Sequence, residues 1–328
     1  FGGIILILIL LMWCCNTQKT VVEFNLIGSS GIQPELAIDE EEREIEVDDS
    51  GYAKLILAED EYGYATLKYG RDRLPLFIEK GTTLRIYIYG DHAKGNIRFE
   101  GDGAPKNCYL NSQIMKNLSF DYELDGPEFL GQLKDLIQER FHYLDTMGFD
   151  TAFTEMERNR IKFSTYKALE NYPLYHAWST GNMDYQPDTA YLSCIKKLIK
   201  EDEKLLVLKE YKEGMASLVS LISTYHMKEL DAYKQVMAQF DYVIHHLKNE
   251  TLVEFLIDHY AYAYLLGVGI DGNINDVLRV YDSYVKDPVL RKRFQEIYDR
   301  CAKIVPGSPA FDFMFTDIAG QAVELEDF

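Results

Sequence analysis

The stretch LRIYIYGDHAKGNIRFEGDGA, residues Leu84–Ala104, decides how the rest of the chain is read. Leu84, Ile86 and Ile88 alternate with Arg85, Tyr87 and Tyr89, and Ile97 and Phe99 alternate after a turn-rich interval. A period of two puts successive side chains on opposite faces, the mark of a strand with one buried face. Gly90-Asp91, Lys94-Gly95-Asn96 and Gly101-Asp102-Gly103 supply the turns. Beyond Ala104 the alternation stops and does not return until after Ile304. A β region therefore ends here and a helical one begins.

Upstream, the same alternation runs through Val22, Phe24 and Leu26, then Ile45 and Val47, then Leu55 and Leu57. Ser29-Ser30-Gly31, Asp48-Asp49-Ser50-Gly51, Tyr69-Gly70 and Lys80-Gly81 separate the runs. Such spacing predicts about seven or eight short strands in an antiparallel sandwich-like or barrel domain over residues 20–111. Glu40-Glu41-Glu42 reads as a solvated loop or sheet edge, since no second ligand cluster accompanies it.

Downstream, residues 112–303 read as a helical bundle. Phe129, Leu133, Leu136, Ile137 and Leu144 share one helical face. Leu208, Tyr211, Met215, Leu218, Leu221, Ile222 and Tyr225 share another, as do Leu252, Phe255, Leu256 and Tyr260. Asp287-Pro288 is a helix start, with Asp as cap and Pro in the first turn. Breaks at Asn171-Tyr172-Pro173, Gly181-Asn182 and Gly267-Val268-Gly269 divide the region into about seven helices. After Pro306-Gly307-Ser308-Pro309, Phe313 and Phe315 alternate, Gly320 marks a turn, and Val323 and Leu325 alternate again. Residues 304–328 thus read as a β-hairpin, and the fold class is α+β.

The 328 residues carry a net charge of −19, which excludes nucleic acid as a partner and a polybasic lipid attachment. Five cysteines are present, and no C-x-x-C occurs, so no redox or zinc motif lies within the chain. Cys108, Cys194 and Cys301 are expected as small buried residues, and a disulfide between two of them stays open. His245, His246 and His259 read as surface or packing residues, because adjacent histidines on a helix point about 100° apart. Asp271–Asp276 begins like a calcium loop but lacks the Gly and Glu that such a loop needs, so Asn275 is expected to cap the next helix. Tyr260-Ala261-Tyr262-Ala263-Tyr264 could line a groove, although core packing is the default for aromatics at this spacing. Neither a catalytic residue nor a metal or cofactor site is assigned.

Three segments carry a family resemblance. Ile4–Met12 is an uninterrupted apolar run too short to span a bilayer, followed by Trp13-Cys14-Cys15. This resembles a bacterial lipoprotein signal over residues 1–15. Cys15, preceded by a small residue, is the expected lipidation site, and Cys14 is the alternative. Pro306-Gly307-Ser308-Pro309-Ala310-Phe311-Asp312-Phe313, with Asp317-Ile318-Ala319-Gly320 and Leu325-Glu326-Asp327-Phe328, resembles the opening of TlpA/ResA-like thioredoxins and of peroxiredoxin-type redoxins. Phe311 stands where that family has Pro. Residues 20–111, closing on Phe99–Ala104 with Asn107, Tyr109, Leu110 and Asn111, are similar to the small β domain that precedes such thioredoxins in envelope lipoproteins of Gram-negative bacteria.

The resemblance implies a membrane-tethered thiol–disulfide oxidoreductase facing the periplasm or the cell surface. Its partners would be a protein thiol or disulfide client and an electron donor, with the membrane reached through the N-terminal lipid. In the family a W-C-x-x-C follows the hairpin, so residues 304–328 would be the start of a truncated thioredoxin-like domain with its catalytic cysteines beyond Phe328. A peroxiredoxin-like peroxidase and a non-catalytic binding or scaffold lipoprotein are the alternatives. Because an isolated hairpin is marginal in water, the apolar tail is expected to be poorly ordered in this chain.

Overall fold

The computed structural model describes residues 19–38, 41–116, 118–227, 231–305, 307–309, 314–316, 318 and 321–324. The chain divides into two compact units: one runs to Ser119 and takes in His142–Phe149, and the other comprises Phe120–Phe141 and the residues from Asp150 onward. The class is α+β: β-sheets first, helices in the middle, and a small β-hairpin last.

The first unit holds eight strands: β1 (Val21–Ile27), β2 (Pro34–Ile38), β3 (Glu41–Glu44), β4 (Tyr52–Ile56), β5 (Gly63–Tyr69), β6 (Asp72–Ile78), β7 (Thr83–Tyr89) and β8 (Ile97–Glu100). They form two four-stranded sheets, ordered β4-β1-β7-β8 and β3-β2-β5-β6. Alternate residues of both sheets, among them Phe24, Leu67, Leu76 and Ile86, meet in one core. Glu41-Glu42 lie on β3, an edge strand, where charge discourages pairing with another chain.

The expectation of a wholly antiparallel domain needs one correction. β1 pairs antiparallel with β4 but parallel with β7, from Val21 opposite Thr83 to Ile27 opposite Tyr89. Alternation fixes which face of a strand is buried and leaves its direction open, so the parallel pair left no mark in the pattern.

Two short helices follow β8 within this unit: α1 (Ala104–Leu110) and α2 (Gln113–Lys116). The turn into α1 depends on Gly101, whose φ is +88° and where a Cβ would lie 2.2 Å from the carbonyl oxygen of Thr83. Only glycine fits there without moving backbone. Pro105 then occupies the first turn of α1, where its missing N–H costs nothing.

α1 closes the outer edge of β6. The buried Asn107 accepts the Phe77 N–H on Oδ1 at 2.9 Å and donates through Nδ2 to the Phe77 carbonyl at 2.8 Å. The second Nδ2 hydrogen goes to Gly103 O at 2.8 Å. One turn on, Asn111 Nδ2 donates to Pro75 O at 2.9 Å. The spacing matches because four helical residues rise about 6 Å and two strand residues about 6.7 Å. Pro75 has no N–H, so the Asn111 amide can make only half of the contact that Asn107 makes, and its buried Oδ1 has no partner among the described residues. Lys106 adds an ion pair to Glu79 at 2.9 Å. Tyr109 anchors the other side of α1 on Tyr143 and Phe149, ring centroids 5.4 and 5.5 Å away.

The rest of the helices are α3 (Gly126–Thr146), α4 (Thr151–Ser164), α5 (Tyr166–Thr180), α6 (Thr189–Leu198), α7 (Lys209–Thr224), α8 (Ala232–His246), α9 (Glu250–Val268), α10 (Ile274–Tyr284) and α11 (Pro288–Ala302). There are thus nine α-helices among the described residues from Gly126 onward, not seven. The difference has local causes. α4 and α5 are separated at Thr165, a break with no Gly or Pro, where the Thr165 hydroxyl donates to Lys162 O at 2.7 Å. Conversely, the expected break at Asn171–Pro173 is absent, and α5 runs through Pro173. A proline there leaves the carbonyl four residues back without its helical donor. That carbonyl belongs to Leu169, and the Tyr191 hydroxyl donates to it at 2.8 Å. Burial pushes the Tyr191 phenol well above its ordinary pKa, so it remains a donor.

The Gly181 and Gly267–Gly269 breaks are present, and Asp287 caps α11 by accepting from Val289 N and Leu290 N. Asn275 is not the cap of α10. That helix starts two residues earlier than such a cap requires, at Ile274 after Asn273, whose N–H is held by Asp271. The hairpin comprises β9 (Met314–Thr316) and β10 (Ala322–Glu324), with Phe315 opposite Val323.

Two outcomes follow. Asn107→Ala strands both Phe77 groups and should cost about 2–4 kcal/mol, against roughly 1 kcal/mol for Asn111→Ala. Urea unfolding of both variants checks this, and equal losses would contradict it. Tyr191→Phe should cost about 1–2 kcal/mol in the native sequence and distinctly less beside Pro173→Ala, where a restored N–H satisfies Leu169. Additive effects in that double-mutant cycle would break the proposed link.

Candidate functional site

A cleft of about 650 Å³ in the second unit is walled by α4, α5, α7, α8 and α9. Short residues leave the space open: Ala216, Ser217 and Ser220 on α7, Ala232 on α8, and Ala263 and Gly267 on α9. Phe163, Val236, Tyr260 and Tyr264 supply apolar wall. The Tyr260 hydroxyl donates to Ala216 O at 2.6 Å and the Tyr264 hydroxyl to Asp271 at 2.8 Å, which fixes both rings. The tyrosine run at 260–264 therefore both packs the core and lines a groove.

Polar groups converge on the same space. Gln239 Nε2 donates to Ser220 Oγ at 3.1 Å. Among the described residues three carboxylates line the cleft, Glu170, Glu210 and Glu213, with one ammonium, Lys167. Lys167 pairs with Glu170 at 2.6 Å. Glu210 reaches Arg160 at 3.2 Å, but that guanidinium is already held by the fully buried Glu157 through two bonds of 2.7 Å. Glu213 lies 3.6 Å from Lys209.

His259 also borders the cleft. Burial pushes its imidazole below the ordinary value of 6.5; Glu170 pulls the other way, while Lys167 and Arg293 reinforce the depression. The ring is thus neutral at neutral pH and adds no positive charge. A second buried charge, Asp258, is paired with Arg293 and accepts from the Tyr281 hydroxyl, tying α9 to α10 and α11.

Cys108 and Cys194 are exposed rather than buried, and Cys301 is half-buried with its thiol 3.8 Å from Leu265 O. Their helical spacing places Cys108 and Cys194 on outward faces, a point the residue type alone did not reveal. All three are free thiols, and partial burial raises the Cys108 thiol further. The lipidation residues Cys15 and Cys14 lie outside the described residues, as do Phe311, Phe313, Asp317, Gly320, Leu325 and Phe328 of the hairpin motif.

His246 stacks on Tyr242 at 4.4 Å and His245 pairs with Asp241 at 3.1 Å, each within α8. No group of three or more potential metal ligands occurs among the described residues, and no helix among them is long and apolar enough to cross a membrane. No protein-family model, curated protein or solved structure matches the chain.

The cleft escaped sequence reading because its floor is made of Ala, Ser and Gly, which carry no chemistry of their own. The signals available were the Tyr260–Tyr264 run, already read as a possible groove lining, and the small residues at helical spacing on α7.

The neutral state of His259 has a measurable consequence. Its folded pKa lies below its unfolded value, so the unfolded chain takes up the proton first as pH falls, and stability is lost on acidification through about 6.5. His259→Asn should flatten the stability profile between about pH 7.5 and 5.5. Urea midpoints across that range provide the check, and an unchanged slope in the variant would count against it.

Proposed function

We propose that the chain is the N-terminal portion of a membrane-tethered thiol–disulfide oxidoreductase of the TlpA/ResA-like thioredoxin family. The observation that carries this reading is the run from Pro306 to Phe328, whose residues resemble the opening of that redox fold apart from Phe311. The geometry of its described part supports the reading. β9 and β10 pair antiparallel around the Asp317–Gly320 segment, as the opening strands of such a domain would. Met314 and Phe315 are exposed, as befits strands whose apolar faces belong against a larger sheet. The β unit that ends on Asn107 and Asn111 and the helices that follow stand in the order expected for the family's envelope lipoproteins.

In this reading the chemistry belongs to a W-C-x-x-C beyond Phe328. A thiolate at a helix N-terminus attacks a client disulfide, a mixed disulfide forms, and the second cysteine resolves it. The three free cysteines seen here take no part. Cys15 would carry the lipid that holds the protein at the membrane, with Cys14 as the alternative.

The coding sequence after Phe328 tests this directly: W-C-x-x-C is expected there, P-x-x-x-T-x-x-C would make the protein a peroxidase instead, and neither motif would end the redox assignment. The present chain should give no insulin-disulfide reduction above background with a thiol donor. Turnover abolished by Cys108→Ser, Cys194→Ser or Cys301→Ser would overturn the division of labour.

A further inference from the structure

We propose that the cleft among α4, α5, α7, α8 and α9 binds a small organic cation, a protonated amine carried on an apolar or aromatic body. The inference concerns the helical unit alone and stands whether or not a redox domain follows.

Size is the first argument. About 650 Å³ lies within the usual range of small-molecule sites, roughly 300–1,000 Å³. The lining is mixed in the way such sites are, with apolar and aromatic wall and a few convergent polar groups. Phe163, Val236 and Tyr260 can cover an apolar body.

Charge is the second. Lys167 is drawn to Glu170 on the same helix. Glu210 has only a share of Arg160, whose stronger bonds go to Glu157. An ammonium placed in the cleft would complete the pairing of Glu210, and the half-exposed Glu213 lies one helical turn further on. Among the described residues an anion would meet three carboxylates, of which Glu210 shares Arg160 with Glu157 and Glu213 lies 3.6 Å from Lys209, and a lysine already held by Glu170.

The neutral polar groups agree. Gln239 donates to Ser220, which leaves the glutamine carbonyl oxygen as an acceptor, the kind of group an N–H of an amine requires. His259, being neutral, sets up no repulsion against a cation. A purely apolar ligand would desolvate the carboxylates and return nothing.

Calorimetric titration of the whole chain with 2-phenylethylamine tests the inference, with 2-phenylethanol and 3-phenylpropionate as neutral and anionic counterparts. The amine should bind at least about tenfold more tightly than the alcohol, and the carboxylate should show no heat of binding. Glu210→Gln should weaken the amine about tenfold and leave the alcohol unchanged. Should that change disturb the Arg160 network, Glu213→Gln, at an exposed position, should still weaken the amine selectively, with Glu296→Gln on α11 as a neutral control. Equal binding of amine and alcohol, absence of amine binding at millimolar concentration, or equal losses in all three variants would overturn the proposal.

Discussion

The carboxamide of Asn107 is the contact on which the first unit depends. A sheet edge presents a row of backbone donors and acceptors that must be paired, covered or left to water. At β6 the edge is covered by a helix, and a covering helix has no backbone groups to give sideways. A side-chain amide supplies what is missing: one acceptor and one donor, held at the separation of a peptide's own N–H and C=O. Asn107 thus does for Phe77 what a ninth strand would do, and its remaining hydrogen ties the helix to its own first turn. Aspartate would lack the donor and leucine both groups, so the position admits few residues.

Much upstream is arranged so that this amide arrives in place. Gly101 lets the chain turn hard against Thr83, and Pro105 starts the helix without an orphan N–H. Pro75 sits on the outward-facing register of β6, where its lack of an N–H leaves only a carbonyl for Asn111 to satisfy. Pro173 and Tyr191 solve the same problem in the helical unit. In each case a proline or an edge leaves a backbone group unmatched, and one polar side chain from elsewhere in the unit completes the count.

These solutions explain which parts of the structure could be read in advance. The alternation around Leu84–Ile88 and the turn glycines were sufficient for the strands, because both are local properties. The switch at Ala104 was equally plain. The parallel pairing of β1 with β7 was not, since it depends on the path the chain takes between them. The helix through Pro173 was missed because its rescue lies on a different helix, at Tyr191. The Tyr260–Tyr264 wall of the cleft was visible as a possible groove lining, but its floor was missed for a related reason: Ala216, Ser217 and Ala263 become a hollow only when the helices bearing them are placed side by side. Its charges could be named from the sequence, but their imbalance could not, because Arg160 serves two carboxylates only in three dimensions. The proposed redox function, by contrast, rests on the resemblance of Pro306–Phe328 and owes nothing to the cleft.

The most direct measurement of the central contact is amide hydrogen exchange at Phe77. An uncovered edge N–H would exchange with the loops, whereas one held by a buried carboxamide should open only with the unit itself. Phe77 should be protected to the same degree as Leu67 on the interior strand β5. Exchange at Phe77 as fast as that of Arg73, with Leu67 still protected, would contradict it.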